Sequence, residues 1–204
     1  EWITEVASGI VICCFNFVIL REAGNTGVAA YGIIANIAMV AACLCTGIAQ
    51  GVQPLISHSY GKGETQQVRN LLQLTLETAL GFAVILYGVL FGFTEWIVSL
   101  FNTDENVVLK EMAESGVRIY FLAFFFAGCN IAASAFFSAV ERPFFSFCIS
   151  LLRSGVILLP VLFAFAAVWH MNGIWASYPV AECVTCVVAL MLLIRFWRRK
   201  RRIS

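Results

Sequence analysis

Four ionisable side chains fall inside long apolar stretches of this sequence: Glu5, Glu77, Arg153 and Glu182. Such a group at bilayer depth costs about 2.5–3.5 kcal/mol on an insertion scale, so each needs a partner, a water-filled cavity or a function. The surroundings of a catalytic site are missing, because the sequence has no His-rich metal set, no nucleophile-and-base pair and no phosphate loop. An enzyme is therefore not expected. The chemistry open to these groups is uptake of a proton or cation, or mutual neutralisation.

The elements that hold them are set by composition. Of the 204 residues 61% are hydrophobic and only 12% charged, against about 45–50% apolar and 25% charged in a soluble domain. Mean hydropathy is +0.88. A soluble globule with this composition would lack the polar side chains to cover itself, whereas lipid accepts apolar surface directly. Six apolar stretches, at 2–20, 28–54, 71–93, 117–138, 144–167 and 173–194, each approach the ~20 helical residues that span a bilayer. Backbone polar groups facing lipid must be satisfied within their own segment, and the runs are too long and unalternating for barrel strands. The expected fold is all-α, a polytopic bundle of six transmembrane helices forming one lobe.

The links alternate in charge. Lys62 and Arg69 lie in 55–70, Arg142 in 139–143, and Arg195, Arg198, Arg199, Lys200, Arg201 and Arg202 follow the last stretch. The 94–116 link carries Glu95, Asp104, Glu105, Glu111 and Glu114 against Lys110, and 168–172 has no Lys or Arg. The positive-inside rule then puts both ends of this segment in the cytoplasm of a plasma (inner) membrane protein, the basic tail touching anionic lipid rather than nucleic acid. A short helix is expected in 94–116, N-capped by Asn102 or Thr103, with Asp104 and Glu105 in its first turn and Trp96 in the interface. Gly47-x-x-x-Gly51 and Gly88-x-x-x-Gly92 predict close helix approach. Pro160 and Pro179 predict bends, mechanical or merely tolerated. The eight cysteines sit in apolar runs; the pair Cys183 and Cys186 lacks a second ligand pair, so no metal is expected.

Depth sorts the charges. Counted from the basic end of their spans, Arg153 and Glu182 differ by only ~5 Å at 1.5 Å per residue, on sequential antiparallel helices. They are a candidate intramembrane ion pair, with a direct transport role as the alternative. Glu5 has no such cation. It shares a face with Gly9, Ile12 and Asn16, since the 5-to-16 spacing is within about 20° of three full turns. That face either lines a cavity or lets Glu5 snorkel; Glu77, shallower, is expected to snorkel. Asn36, Cys43, Gly47 and Gln50 recur at helical spacing, as do Asn130, Ser134 and Ser138, which predicts a solute or cation pathway or, equally, helix-to-helix hydrogen bonds.

At these residues the chain resembles the multidrug and toxic compound extrusion (MATE) family, specifically the second of its two six-helix lobes. Ile3-Thr4-Glu5-Val6-Ala7-Ser8-Gly9 is similar to the start of the family's seventh helix, Gly27-Val28-Ala29-Ala30-Tyr31-Gly32 to the start of its eighth, and Gly47 to Ser57 with Tyr60-Gly61 to the end of that helix. Gln53-Pro54-Leu55-Ile56-Ser57 is the most specific match. Gly173 to Glu182, through Pro179, resembles the twelfth helix.

The resemblance implies one lobe of a two-lobe antiporter that exports drugs or organic cations, coupled to H⁺ or Na⁺ at Glu5, with no cofactor or resident metal beyond a transient Na⁺. Where some members place an aspartate in the tenth helix, this chain has Asn130 and Ser134. The partners implied are membrane lipid, a preceding N-terminal lobe and small organic or cationic substrates. The chain begins at Glu1 without a methionine and is expected to be a piece of a longer protein. A lipid or polysaccharide flippase of related architecture, which would line its cavity with more cations, and a non-transporting assembly subunit are the alternatives.

Orientation is directly testable by cysteine labelling on a Cys-free background. Positions 62 and 142 should react only from the cytoplasm, and positions 104 and 170 only from outside. Labelling of position 104 from the cytoplasm alone would overturn the orientation.

Overall fold

The computed structural model describes residues 2–102 and 106–200, with side chains for 6, 7, 9–102 and 106–198. The Glu5 carboxylate, Thr103, Asp104, Glu105, the side chains of Arg199 and Lys200, and residues 201–204 lie outside the described residues. Four helical runs are long and apolar enough to cross a membrane. One is broken by the non-helical Gly24 (φ 63°, ψ −156°) and another by His170 (φ 50°, ψ −133°), and the latter run also leaves helical geometry at Gly155 (φ 176°, ψ −39°). The described residues thus form α1 (2–23), α2 (25–61), α3 (Thr65–Gly92), the short α4 (Thr94–Phe101), α5 (107–139), α6 (143–169) and α7 (171–200). No strand occurs among them.

Each connection has a local cause. After α2, Gly63 (φ 76°) takes the left-handed conformation that glycine adopts without strain. There Glu64 N donates to Ser59 O at 3.0 Å and Gly63 N to Tyr60 O at 3.0 Å, the paired bonds of a Schellman stop. The same stop ends α5, with Glu141 (φ 59°) in the glycine position and Arg142 N donating to Phe137 O at 2.9 Å. Pro143 then opens α6 at a position where its missing N–H costs nothing. At the opposite end, His170 Nδ1 meets Glu22 Oε2 at 3.0 Å and ties the α6–α7 break to the end of α1.

The 94–116 link differs from expectation. Its short helix is Thr94–Phe101, which carries an exposed Trp96. The cap of the next helix is Asn106, whose side chain accepts from Leu109 N at 3.1 Å. Asn102 instead brackets the turn, accepting from Asn106 N at 3.1 Å and donating to Asn106 O at 2.9 Å. From that cap α5 begins at Val107, with Ala113, Gly116 and Val117 inward and Glu111 outward, and runs straight into the fourth span through a 3₁₀ turn at Phe121–Ala123. The 117–138 stretch is only its apolar part.

α5 is the central helix. In its most apolar window 61% of residues are buried, against 22% for α3, and it packs on α2, α3, α6 and α7. One apolar core gathers Phe15, Ile34, Phe121, Phe124 and Trp175; a second, toward the basic end, holds Phe136, Phe137, Ile149 and Leu193. Outside, exposed Leu74, Leu80, Val84 and Ile85 on α3 present an apolar surface suited to lipid.

The close approaches lie elsewhere than the two glycine repeats suggest. A Cβ on Gly47, Gly51, Gly88 or Gly92 would meet nothing within 4 Å, because these glycines face away from the bundle. Gly27 and Gly173 are tight only against the helix just before them in the chain, whereas between spans distant in sequence the tight positions are on α5: a Cβ on Gly116 would press on Ile34 and on the Trp175 ring at 3.0 Å, and one on Gly128 would reach Ala79 at 3.1 Å. In the full-length protein Gly116→Val should therefore lower folding stability by about 1–3 kcal/mol, while Gly88→Ala should change it by under about 0.5 kcal/mol. Thermal unfolding in detergent measures both. Equal losses would contradict this packing.

Candidate functional site

The buried polar groups converge on Glu182. Of its side chain 2% is exposed, and the carboxylate is held by two helices at once. Arg153 on α6 donates from Nε to Oε1 at 3.2 Å, and Asn130 on α5 donates from Nδ2 to Oε2 at 2.7 Å. Asn130 Nδ2 also donates to the Glu182 carbonyl at 2.9 Å, while its Oδ1 is buried without a hydrogen-bond partner. Tyr178, one turn before Glu182, is in electrostatic contact with both charges. Its ring stacks on Tyr120 with centroids 4.4 Å apart.

Arg153 sits in an irregular stretch of α6. Residues 152–156 form a π-helical turn in which Ile157 N donates five residues back to Leu152 O at 3.2 Å. Pro160 stands four residues beyond Val156 and cannot supply that carbonyl with the usual N–H, so the helix is already open here. A widened turn rotates the side chains that follow it out of regular register, a common device at functional sites. Pro179, in contrast, is accommodated within α7.

A hydroxyl cluster lies nearer the basic end. Ser134 Oγ is 2.8 Å from Ser146 Oγ and 3.0 Å from Ser150 Oγ, and Ser138 Oγ donates to Ser146 Oγ at 2.9 Å. Asn130, Ser134 and Ser138 thus bond to α6 and α7, and the wholly buried Asn130 lines no open path. Sequence spacing found the Arg153 and Glu182 pair but missed Asn130 as the third member, along with Tyr178, Ser146 and Ser150. The available signals were Tyr178 one turn ahead of Glu182 and the four-residue spacing of Ser146 and Ser150.

A different polar surface faces outward. Asn36, Cys43, Gly47 and Gln50 are all exposed along one side of α2. Asn36 Nδ2 is turned back onto Gly32 O at 2.8 Å, and half-buried Asn16 Nδ2 onto Ile12 O at 2.9 Å. Glu77 is exposed and accepts from Gln73 at 2.8 Å, consistent with a snorkelling carboxylate. Glu5 lies on α1, and its side chain is outside the described residues. No cluster of three or more metal-ligating side chains occurs among the described residues.

The node can hold two charges inside an apolar bundle and clasp three helices. Both oxygens of its carboxylate are engaged, so it offers no free base toward the exposed face. Breaking a buried pair leaves an uncompensated charge at a cost of about 3–5 kcal/mol. Arg153→Met and Glu182→Gln should each lose about that much folding stability in the full-length protein, and the double change should recover at least about 1 kcal/mol of the summed loss. A double-mutant cycle on folded yield and thermal unfolding measures this; additive losses would show the two groups uncoupled.

The MatE family model matches residues 6–164. Multidrug export protein MepA of Staphylococcus aureus (strain bovine RF122 / ET3-1) is 25% identical over 191 residues, 94% of this chain and 40% of the relative. MepA of Staphylococcus saprophyticus subsp. saprophyticus is 22% identical with the same coverage, 94% and 40%. An inward-facing multidrug resistance MATE family transporter of the MOP superfamily superposes with TM-score 0.92 at 17% identity, covering 98% of this chain and 47% of that one. An outward-facing structure so described gives TM-score 0.87 at 18% identity, covering 98% and 44%. The chain spans less than half the length of each of these proteins.

Proposed function

Because the chain belongs to the MatE family of multidrug and toxic compound extrusion transporters, we propose that it is the C-terminal six-helix lobe of an antiporter that exports drugs or organic cations in exchange for H⁺ or Na⁺ taken up at Glu5. The observation that carries this reading is the exposed side of α2 on which the amides Asn36 and Gln50 recur with the small residues Cys43 and Gly47, beside exposed Met39 and Val40. Polar groups facing hydrocarbon are costly, whereas the same groups facing a wet cavity between two lobes are solvated. The family relatives are about twice as long as this chain, which leaves room for a second lobe across that face. Substrate would pass between the lobes as they rock about the cavity.

Glu5 is suited to coupling by its position. It sits on α1 one to three turns from Gly9, Ile12 and Asn16, of which Gly9 and Ile12 are exposed. Glu182, the other deep carboxylate, is already committed to Arg153 and Asn130. A carboxylate in a water-accessible cavity can exchange a proton or hold a cation as the lobes move; one locked in a buried pair cannot do so without breaking the pair. The basic links and tail support a cytoplasmic location for both ends. A flippase for phosphate-bearing cargo is less well supported, because Arg153 is spent on Glu182 at 3.2 Å.

Efflux of a fluorescent cationic dye from vesicles holding the full-length protein tests this, with expression matched between variants. Under an imposed H⁺ or Na⁺ gradient, Glu5→Gln should abolish gradient-driven efflux while insertion is kept, because Gln preserves size and hydrogen bonding but does not titrate. Glu5→Asp should retain part of the activity. Undiminished efflux by Glu5→Gln would contradict the coupling role.

A further inference from the structure

α3 and α7 both pack on α5, and between them at the basic end they leave a valley. Its volume is about 410 Å³, within the size of ordinary ligand pockets, about 300–1,000 Å³. Leu72, Leu76 and Leu193 line the floor and Trp197 one wall, while Arg69 and Arg198 stand at the mouth. The order along each helix is the same. Arg69 precedes Leu72 and Leu76 on α3, and Arg198 follows Leu193 on the antiparallel α7, so both cations share one end of the groove and the apolar side chains extend ~10 Å along the helices away from them.

We propose that this groove binds one anionic phospholipid, its phosphate bridged by Arg69 and Arg198 and an acyl chain laid along the leucines. Charge complementarity selects the occupant. Among the described residues neither arginine has an ion-pair partner, and the acidic groups at this end, Glu64 and Glu141, bridge to neither. Two guanidiniums flanking a slot match a phosphate, for which arginine's fork of donors is suited. Basic pockets between spanning helices are a recognised form of lipid headgroup site. The wall is built rather than loose: Trp197 packs on Phe136 at 6.2 Å and Phe196 at 5.6 Å between centroids. The groove also lies on helices other than α2, whose polar stripe is assigned to the second lobe, so a lipid there does not compete with lobe contact. The site is independent of which solute is carried.

Native mass spectrometry of the full-length protein in detergent tests the assignment, titrating phosphatidylglycerol against phosphatidylcholine of identical chains. Wild type should retain one phosphatidylglycerol about tenfold more tightly than phosphatidylcholine, and Arg69→Gln/Arg198→Gln should lose that preference. Both arginines are exposed, so the variant should fold; its thermal unfolding without lipid should match wild type. Lys62→Gln/Arg142→Gln removes equal charge from the same end outside the groove and should keep the preference within about twofold. An equal loss in that control would mean diffuse attraction to the basic end and would overturn the site. So would wild-type binding that does not distinguish the two lipids, or an arginine variant that still does.

Discussion

A carboxylate and a guanidinium inside hydrocarbon cannot each stand alone, and the architecture of this lobe follows from bringing them together. Glu182 and Arg153 meet at 3.2 Å, and Asn130 completes the carboxylate at 2.7 Å. The three residues come from α7, α6 and α5, so one satisfied charge pair fixes the mutual depth and rotation of three spans. Apolar packing against lipid has little preference between registers, because a leucine is nearly as well accommodated by a lipid tail as by a neighbouring leucine. The polar node supplies that preference. Around it the structure adapts: a π-helical turn carries Arg153, glycine at 116 lets Trp175 and Ile34 reach α5, and Tyr178 stacks on Tyr120 beside the charges.

The same constraint divides the polar residues into two populations. Those on α5 and its neighbours are paired inside: Asn130 with Glu182, Ser134 with Ser146 and Ser150. Those on α2 are exposed, with the Asn36 amide turned back only onto its own helix. Inside a membrane the second population is stable only where water or another protein surface replaces lipid.

Much of this was legible in the sequence, for physical reasons. Length and hydropathy give six spans, and the depth count puts Arg153 level with Glu182 because helical rise is constant. The α2 stripe is visible because 3.6-residue periodicity is local. What was not legible depends on contacts between distant segments. Nothing near Asn130 announces that its partner lies 52 residues away. The Gly47 and Gly88 repeats look like packing motifs, yet the glycines that pack between spans distant in sequence, Gly116 and Gly128, lie in no such repeat. Asn106 displaces Asn102 as the cap because the chain turns between them, and a capping residue is chosen by that turn as well as by its type.

On the proposed function, the side of α2 that carries Asn36 and Gln50 borders a water-filled cavity rather than lipid. The most direct test of this is solvent access in the full-length protein on a Cys-free background, with single cysteines at positions 36 and 50 and a lipid-facing control at Leu80. A membrane-impermeant thiol reagent should modify positions 36 and 50 and spare position 80. If positions 36 and 50 resist the reagent as completely as position 80, the stripe does not line a cavity and the account is contradicted.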